Sequence, residues 1–197
     1  MKLRAHPDEA AIAWHLRVIG RRKDVRFEGD LFRFINPKYS KPSDVLSGSG
    51  AQYASGRWNV AGIFNLSYTA LAPETALAEA LAHARYFGLP ITKALPKVLV
   101  SVRLRATRVL DLRDGSVRKT LRLSENTMRN LDWRAENQQG RQALTQAWGL
   151  QFSKAGFEAV LVPSAADSHG SNALVFPKNL LKSSTFRLTN RIQWPDK

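Results

Sequence analysis

The chain has 197 residues and a mass of 22.0 kDa, with 44% hydrophobic and 23% charged residues. That is enough for one globular domain with a sizeable core and argues against wholesale disorder. Thirty Lys and Arg against 16 Asp and Glu give a net charge of +14, which favours an acidic partner, and the lack of cysteine excludes disulfides, thiolate nucleophiles and cysteine-ligated zinc.

Asp8 and Glu9 precede any apolar stretch, so no secretory signal is expected, and no apolar run reaches the ~20 residues of a membrane span. The expected location is the cytoplasm. Pro7, Asp8 and Glu9 ahead of Ile12, Trp14, Leu16, Val18 and Ile19 predict a helix that Gly20 stops. The charged run 21–30 reads as a linker, so residues 1–30 are expected to be a helical extension and linker, and 31–197 one domain.

From Leu31 to Ile35 the side chains alternate, putting Leu31, Arg33 and Ile35 on one strand face and Phe32 and Phe34 on the other. Arg33 can be a snorkelling edge residue or a buried anion ligand, and the pattern favours the first. Residues 36–59, rich in Gly, Ser and Pro, read as loop, and 63–68 as a short strand. Pro73 opens a helix to about Tyr86, ended by Gly88 and Pro90; Leu77, Ala80, Leu81 and Ala84 form its expected buried stripe, with Glu79 and His83 on the other side.

Residues 98–104 alternate as a strand, 109–112 give a second short one, and 113–137 have no decisive period. Helical spacing returns over 142–155, followed by a buried strand over 157–162 and another over 173–176. Strands and helices mix without regular βαβ spacing, which predicts an α+β fold with a mixed, largely antiparallel core and flanking helices.

The four histidines, His6, His15, His83 and His169, lack metal-ligand spacing, so no metal is expected. Walker and Gly-x-Ser-x-Gly loops are missing, and the glycines between Gly48 and Gly56 do not fit a dinucleotide fingerprint. What stands out is Arg33, Arg57, Tyr68, Glu79, Ser164 and Asn172. Arginine forks suit a diphosphate, an aromatic face suits a flat base, and a carboxylate can stabilise the cation that forms when a glycosidic bond breaks. Together they point to release of nicotinamide from NAD. Each has a plainer reading: Arg57 stacked on Trp58, Tyr68 an ordinary strand end, Glu79 and His83 a solvated helix pair, Ser164 a turn cap, Asn172 a loop brace. Only the combination favours a site.

The blocks Phe32-Arg-Phe34, Ser47-Gly-Ser-Gly-Ala51, Gly56-Arg-Trp-Asn59, Tyr68 with Glu79, and Val162-Pro-Ser164 with Ser171-Asn172 resemble the RES domain, over roughly residues 31–177. The resemblance implies an ADP-ribosyltransferase-like fold and a toxin of a bacterial type II toxin–antitoxin system. Such toxins consume NAD by hydrolysis or phosphorolysis, or transfer ADP-ribose to a protein. It implies Arg33 and Arg57 as NAD-holding arginines, Tyr68 on the nicotinamide side, Glu79 as the catalytic acid and Ser164 as the serine of the family name. Phe34 stands where a tyrosine is frequent, and Ser55 replaces the first of two glycines common before the arginine. The implied partner is an Xre-like antitoxin that caps the active site and provides any link to DNA. Two other readings stay open: a basic nucleic-acid-binding module without catalysis, motivated by the +14 charge, and a RES-type effector secreted into rival bacteria.

Overall fold

The computed structural model describes residues 3–95 and 97–194. Helix α1 (Glu9–Ile19) buries Ile12, Leu16 and Ile19, which lie on one face at helical spacing, while Trp14 and Val18 stay exposed. Strand β1 (Asp24–Ile35) follows directly, so most of the expected linker is strand. Its charges serve cross-strand pairing: Arg103 reaches Glu28 at 3.2 Å and Asp30 at 3.3 Å from strand β3 (Lys97–Asp111). Strand β3 is one continuous element where two short strands were expected. It pairs antiparallel with β1 from Asp24↔Leu110 to Ile35↔Val98.

The expected loop 36–59 contains a 3-10 turn and two short helices, α2 (Pro42–Ser47) and α3 (Gly50–Tyr53). Strand β2 (Ser67–Ala70) begins later than predicted, and helix α4 (Pro73–Tyr86) has the predicted bounds. Its most buried positions are Thr75, Ala76, Leu81 and Ala84, with Leu77 and Ala80 only half-buried; Ala80 lines a cavity. The His83 side chain lies outside the described residues. The undecided stretch 113–137 folds into α5 (Gly115–Leu121), α6 (Glu125–Asn130) and α7 (Trp133–Gln138). Asp114, Ser124 and Asp132 cap these helices by accepting backbone N–H groups. Helix α8 (Leu144–Lys154) and strands β4 (Ala159–Pro163) and β5 (Ser171–Val175) complete the expected set. A last strand, β6 (Thr185–Trp194), was not expected.

The fold is α+β, with a largely antiparallel sheet and flanking helices; among the pairings of the described strands, β3–β4 is the parallel one. Sheet order is β1-β2-β5-β4-β3, and β1 also pairs with β3, so these five strands close on themselves while β6 extends from β3. Alternation then sorts the core into two parts. Leu31, Val100, Val102, Leu104, Leu161, Ala173 and Val175 form the cluster shared by the strands. Val160, Val162 and Leu174, on the other face of β4 and β5, pack with Trp148, Phe152 and Phe157 from the helical side. Both faces of β4 and β5 are therefore buried, which fixes the strand ends that carry Ser164 and Asn172.

Candidate active site

Residues 56–59 form a tight corner in which the Gly56 N–H bonds the Asn59 carbonyl at 3.0 Å. Asn59 is buried and donates to the carbonyls of Ala51 and Ala54, and its Oδ1 accepts the Tyr68 hydroxyl at 2.9 Å. The same hydroxyl accepts the Trp58 N–H at 2.9 Å. A Cβ at Gly56 would sit 2.7 Å from that hydroxyl, so the corner closes only around glycine. From the helical side, Gln146 Nε2 donates to the carbonyls of Gly56 and Asn59. Trp58 is buried against Phe152, not stacked by its neighbour, and Arg57 is left to donate through Nη1 to the Leu131 carbonyl at 2.7 Å.

The corner is one wall of a cavity of about 620 Å³. Arg33, Phe34, Arg57, Tyr68, Glu79 and Asn172 all line it, which unites five of the six residues singled out, plus Phe34. The sixth, Ser164, is fully buried just behind Glu79. Arg33 shares the strand face of Leu31 and Ile35 and reaches Ser67 Oγ at 3.4 Å. It is not the snorkelling edge residue that its pattern favoured. The residue is half-buried, and desolvation holds its pKa below the usual arginine value, with no ion pair among the described residues. Arg57 is shifted the same way, by burial first and by the charge of Arg134 as well, against the opposing pull of Glu79. Burial likewise pushes the Tyr68 hydroxyl above the usual tyrosine value, so this side chain stays neutral.

Glu79 projects from α4, and its Oε1 accepts two short hydrogen bonds, from Ser164 Oγ and Asn172 Nδ2, each at 2.6 Å. Its Oε2 has no partner among the described residues. Ser164 Oγ itself accepts the N–H groups of Ala166 and Asp167, both at 3.1 Å. A hydroxyl has two lone pairs and one hydrogen. Both lone pairs are engaged, so the hydrogen is directed to Glu79, and Ser164 is placed as a donor instead of a nucleophile.

Sequence reasoning missed a third arginine. Arg134, at the start of α7, lies 4.5 Å from the Tyr86 ring centre and 4.4 Å from that of Trp133, and all three line the cavity. Asp132 caps α7 and accepts the Tyr86 hydroxyl at 3.0 Å, fixing that wall. The Asp132 cap followed by an adjacent Trp and Arg was the available signal. The lining thus carries three guanidinium groups and one carboxylate. Such a cavity can hold a ligand with about two negative charges, and Glu79 Oε2 can stabilise positive charge developing beside it. Among the described residues no cluster of His, Cys, Asp and Glu could hold a metal ion, and no helix is long and apolar enough to cross a membrane.

The RES domain family model matches residues 30–194, so the chain belongs to the RES domain family. Among solved structures it is similar to a chain of the M. tuberculosis MbcT–MbcA toxin–antitoxin complex. The TM-score is 0.71 and the identity 21%, over 92% of this chain and 91% of that one. Comparison with curated proteins gave no match.

Proposed function

We propose that the protein is the toxin of a toxin–antitoxin pair and that it cleaves the bond between nicotinamide and ribose in NAD. The observation that carries this reading is Glu79, pinned through one oxygen by Ser164 and Asn172 and open at the other, in a cavity whose lining is rich in arginine. Membership of the RES domain family and the likeness of the fold to a toxin–antitoxin component support it.

In this reading Arg33 and Arg57 hold the diphosphate. Desolvated guanidinium groups without acidic partners are costly alone and gain most from an anion. Tyr68 and Phe34 line the nicotinamide side. Nicotinamide leaves with the bonding electron pair, and the ribosyl cation that remains is stabilised by Glu79 Oε2. Attack on that carbon by water, phosphate or a protein side chain gives hydrolysis, phosphorolysis or ADP-ribose transfer. The surplus of positive charge suits an acidic segment of an Xre-like antitoxin that caps the cavity, with DNA reached only through that partner.

Purified protein incubated with NAD, with and without phosphate, tests the reading through nicotinamide release. Release is expected; no release under either condition, together with no transfer of label to protein, overturns it.

A further inference from the structure

Glu79 depends on Ser164, and Ser164 depends on a loop whose conformation is set from outside the cavity. The loop joins β4 to β5 and returns on itself, with Ser164 N–H bonded to the Gly170 carbonyl at 3.0 Å and Gly170 N–H to the Asp167 carbonyl at 3.2 Å. Two ties hold it. Thr75, one turn before Glu79 on α4, donates to Asp167 Oδ2 at 2.7 Å. A Cβ at Gly170 would lie 2.3 Å from both atoms of that pair, so the tie requires glycine there. The other tie is Arg129 on α6, whose Nη1 donates to the carbonyl of Ser164 and, at 3.1 Å, to that of Asp167.

Arg129 is itself oriented. Its Nε meets Glu125 Oε1, one turn earlier, at 2.9 Å, and Glu125 Oε2 meets Arg118 Nη2 at 3.0 Å. Arg118 Nη1 is anchored on the carbonyls of Leu112 and Arg113, at 2.8 and 2.6 Å, just beyond the end of β3. A continuous series of charge-assisted hydrogen bonds therefore runs from the sheet to the loop that presents Ser164. One planar guanidinium bridges two carbonyls and a carboxylate here, which a lysine ammonium cannot reproduce. The two carbonyls belong to Ser164, which donates to Glu79, and to Asp167, whose N–H helps aim that donor.

We infer that Arg129, held by Glu125, is a positioning residue for Glu79, acting through the 164–170 loop and touching no substrate. This rests on the reading of Glu79 given above. The clamp fixes the loop so that the Ser164 hydroxyl stays aimed at Glu79 Oε1 and Oε2 stays turned to the cavity. Without it the binding arginines are intact, so NAD is still held while its cleavage slows.

The test combines kinetics, chemical rescue and amide hydrogen exchange on Arg129→Ala, with Arg129→Lys and Glu125→Gln as milder variants. In Arg129→Ala, kcat for nicotinamide release is expected to fall on the order of 100-fold, the scale of a small misplacement of a reacting group, while KM for NAD stays unchanged. Added guanidinium should restore part of kcat, and the Ala166 and Asp167 amides should exchange faster. Arg129→Lys should keep the charge but not the rate. Unchanged kcat, or a loss that guanidinium does not relieve and that follows a general fall in thermal stability, overturns the inference. If Arg129→Ala does not fold, Glu125→Gln decides: a lower kcat at unchanged KM with faster exchange of the Ala166 and Asp167 amides supports the inference, and unchanged kcat or unchanged exchange overturns it. Should the wild type release no nicotinamide, the functional reading fails, but exchange still tests the clamp: wild-type protection of Ala166 and Asp167 in a folded variant overturns it.

Discussion

Ser164 donates to Glu79 across a sequence separation of 85 residues, and the distance between the two oxygens is 2.6 Å. The serine sits at the end of a doubly buried strand and the glutamate at mid-helix, so the pairing requires β4, α4 and the 164–170 loop to be in place together. Because Ser164 Oγ also receives two backbone amides, its removal has separable consequences for stability and for chemistry.

Ser164→Ala leaves those amides without their acceptor and Glu79 without one donor. A buried polar group left unpaired costs about 1–3 kcal/mol, so chemical denaturation should show a loss in that range. Nicotinamide release should fall more steeply than stability accounts for at temperatures where the variant is folded. Mass spectrometry of the wild type during turnover should find no adduct on Ser164, since its lone pairs are committed.

Arg134 is held by aromatic faces and has no ion pair among the described residues. If it contributes to holding the diphosphate, Arg134→Ala should raise KM for NAD with little change in kcat. A hydrogen bond to a charged group is worth about 1.5–3 kcal/mol, or roughly 10- to 150-fold in KM. Thermal unfolding should shift little, because each exposed cation–π contact contributes only about 0.5–1 kcal/mol.

Glu158 does not line the cavity, and its expected contribution is to the acid stability of the fold. It is fully buried and accepts the N–H groups of Thr107 at 3.0 Å, Arg108 at 2.8 Å and Leu181 at 3.1 Å. Burial alone would raise its pKa, but hydrogen bonding outweighs burial and holds it below the usual glutamate value. The Ser184 hydroxyl beside it and the Thr107 hydroxyl, which donates to Oε2 at 3.4 Å, add to the effect of the three amides. A depressed carboxylate pKa contributes stability that is complete above the unfolded-state value and is lost as pH falls through the folded-state value. Glu158→Gln should therefore be less stable than wild type at neutral pH. The gap should narrow on acidification below about pH 4.3, the ordinary glutamate pKa, as followed by urea denaturation.

Much of this architecture was legible because local and tertiary signals agree. Helix α4 begins at Pro73 and stops before Gly88, and residues 98–104 alternate because Val98, Val100, Val102 and Leu104 face the core. The residues lining the cavity could be picked out because arginine, tyrosine and glutamate form an unusual combination, although each alone reads as ordinary. Other features depend on contacts that only the folded chain makes. Residues 24–30 look like a linker until Arg103 arrives to pair Glu28 and Asp30. Strand β6, by contrast, was legible: Phe186, Leu188, Ile192 and Trp194 alternate with Thr185, Arg187, Arg191 and Gln193. Helices α6 and α7 have six residues each, too few for a periodic signal, and they are fixed by caps and by the ties that Arg129 and Leu131 make to distant elements. The burial of Arg33 was misjudged for the same reason: alternation gives its face, not what closes over it.

The most direct test of the account compares wild type with Glu79→Gln, which keeps the size of the side chain and removes its charge. Calorimetric titration with NAD and nicotinamide release are measured on the same folded preparations. Both proteins should bind NAD with similar affinity, and only the wild type should release nicotinamide. Equal release by Glu79→Gln, or no binding of NAD by the wild type, would contradict the account.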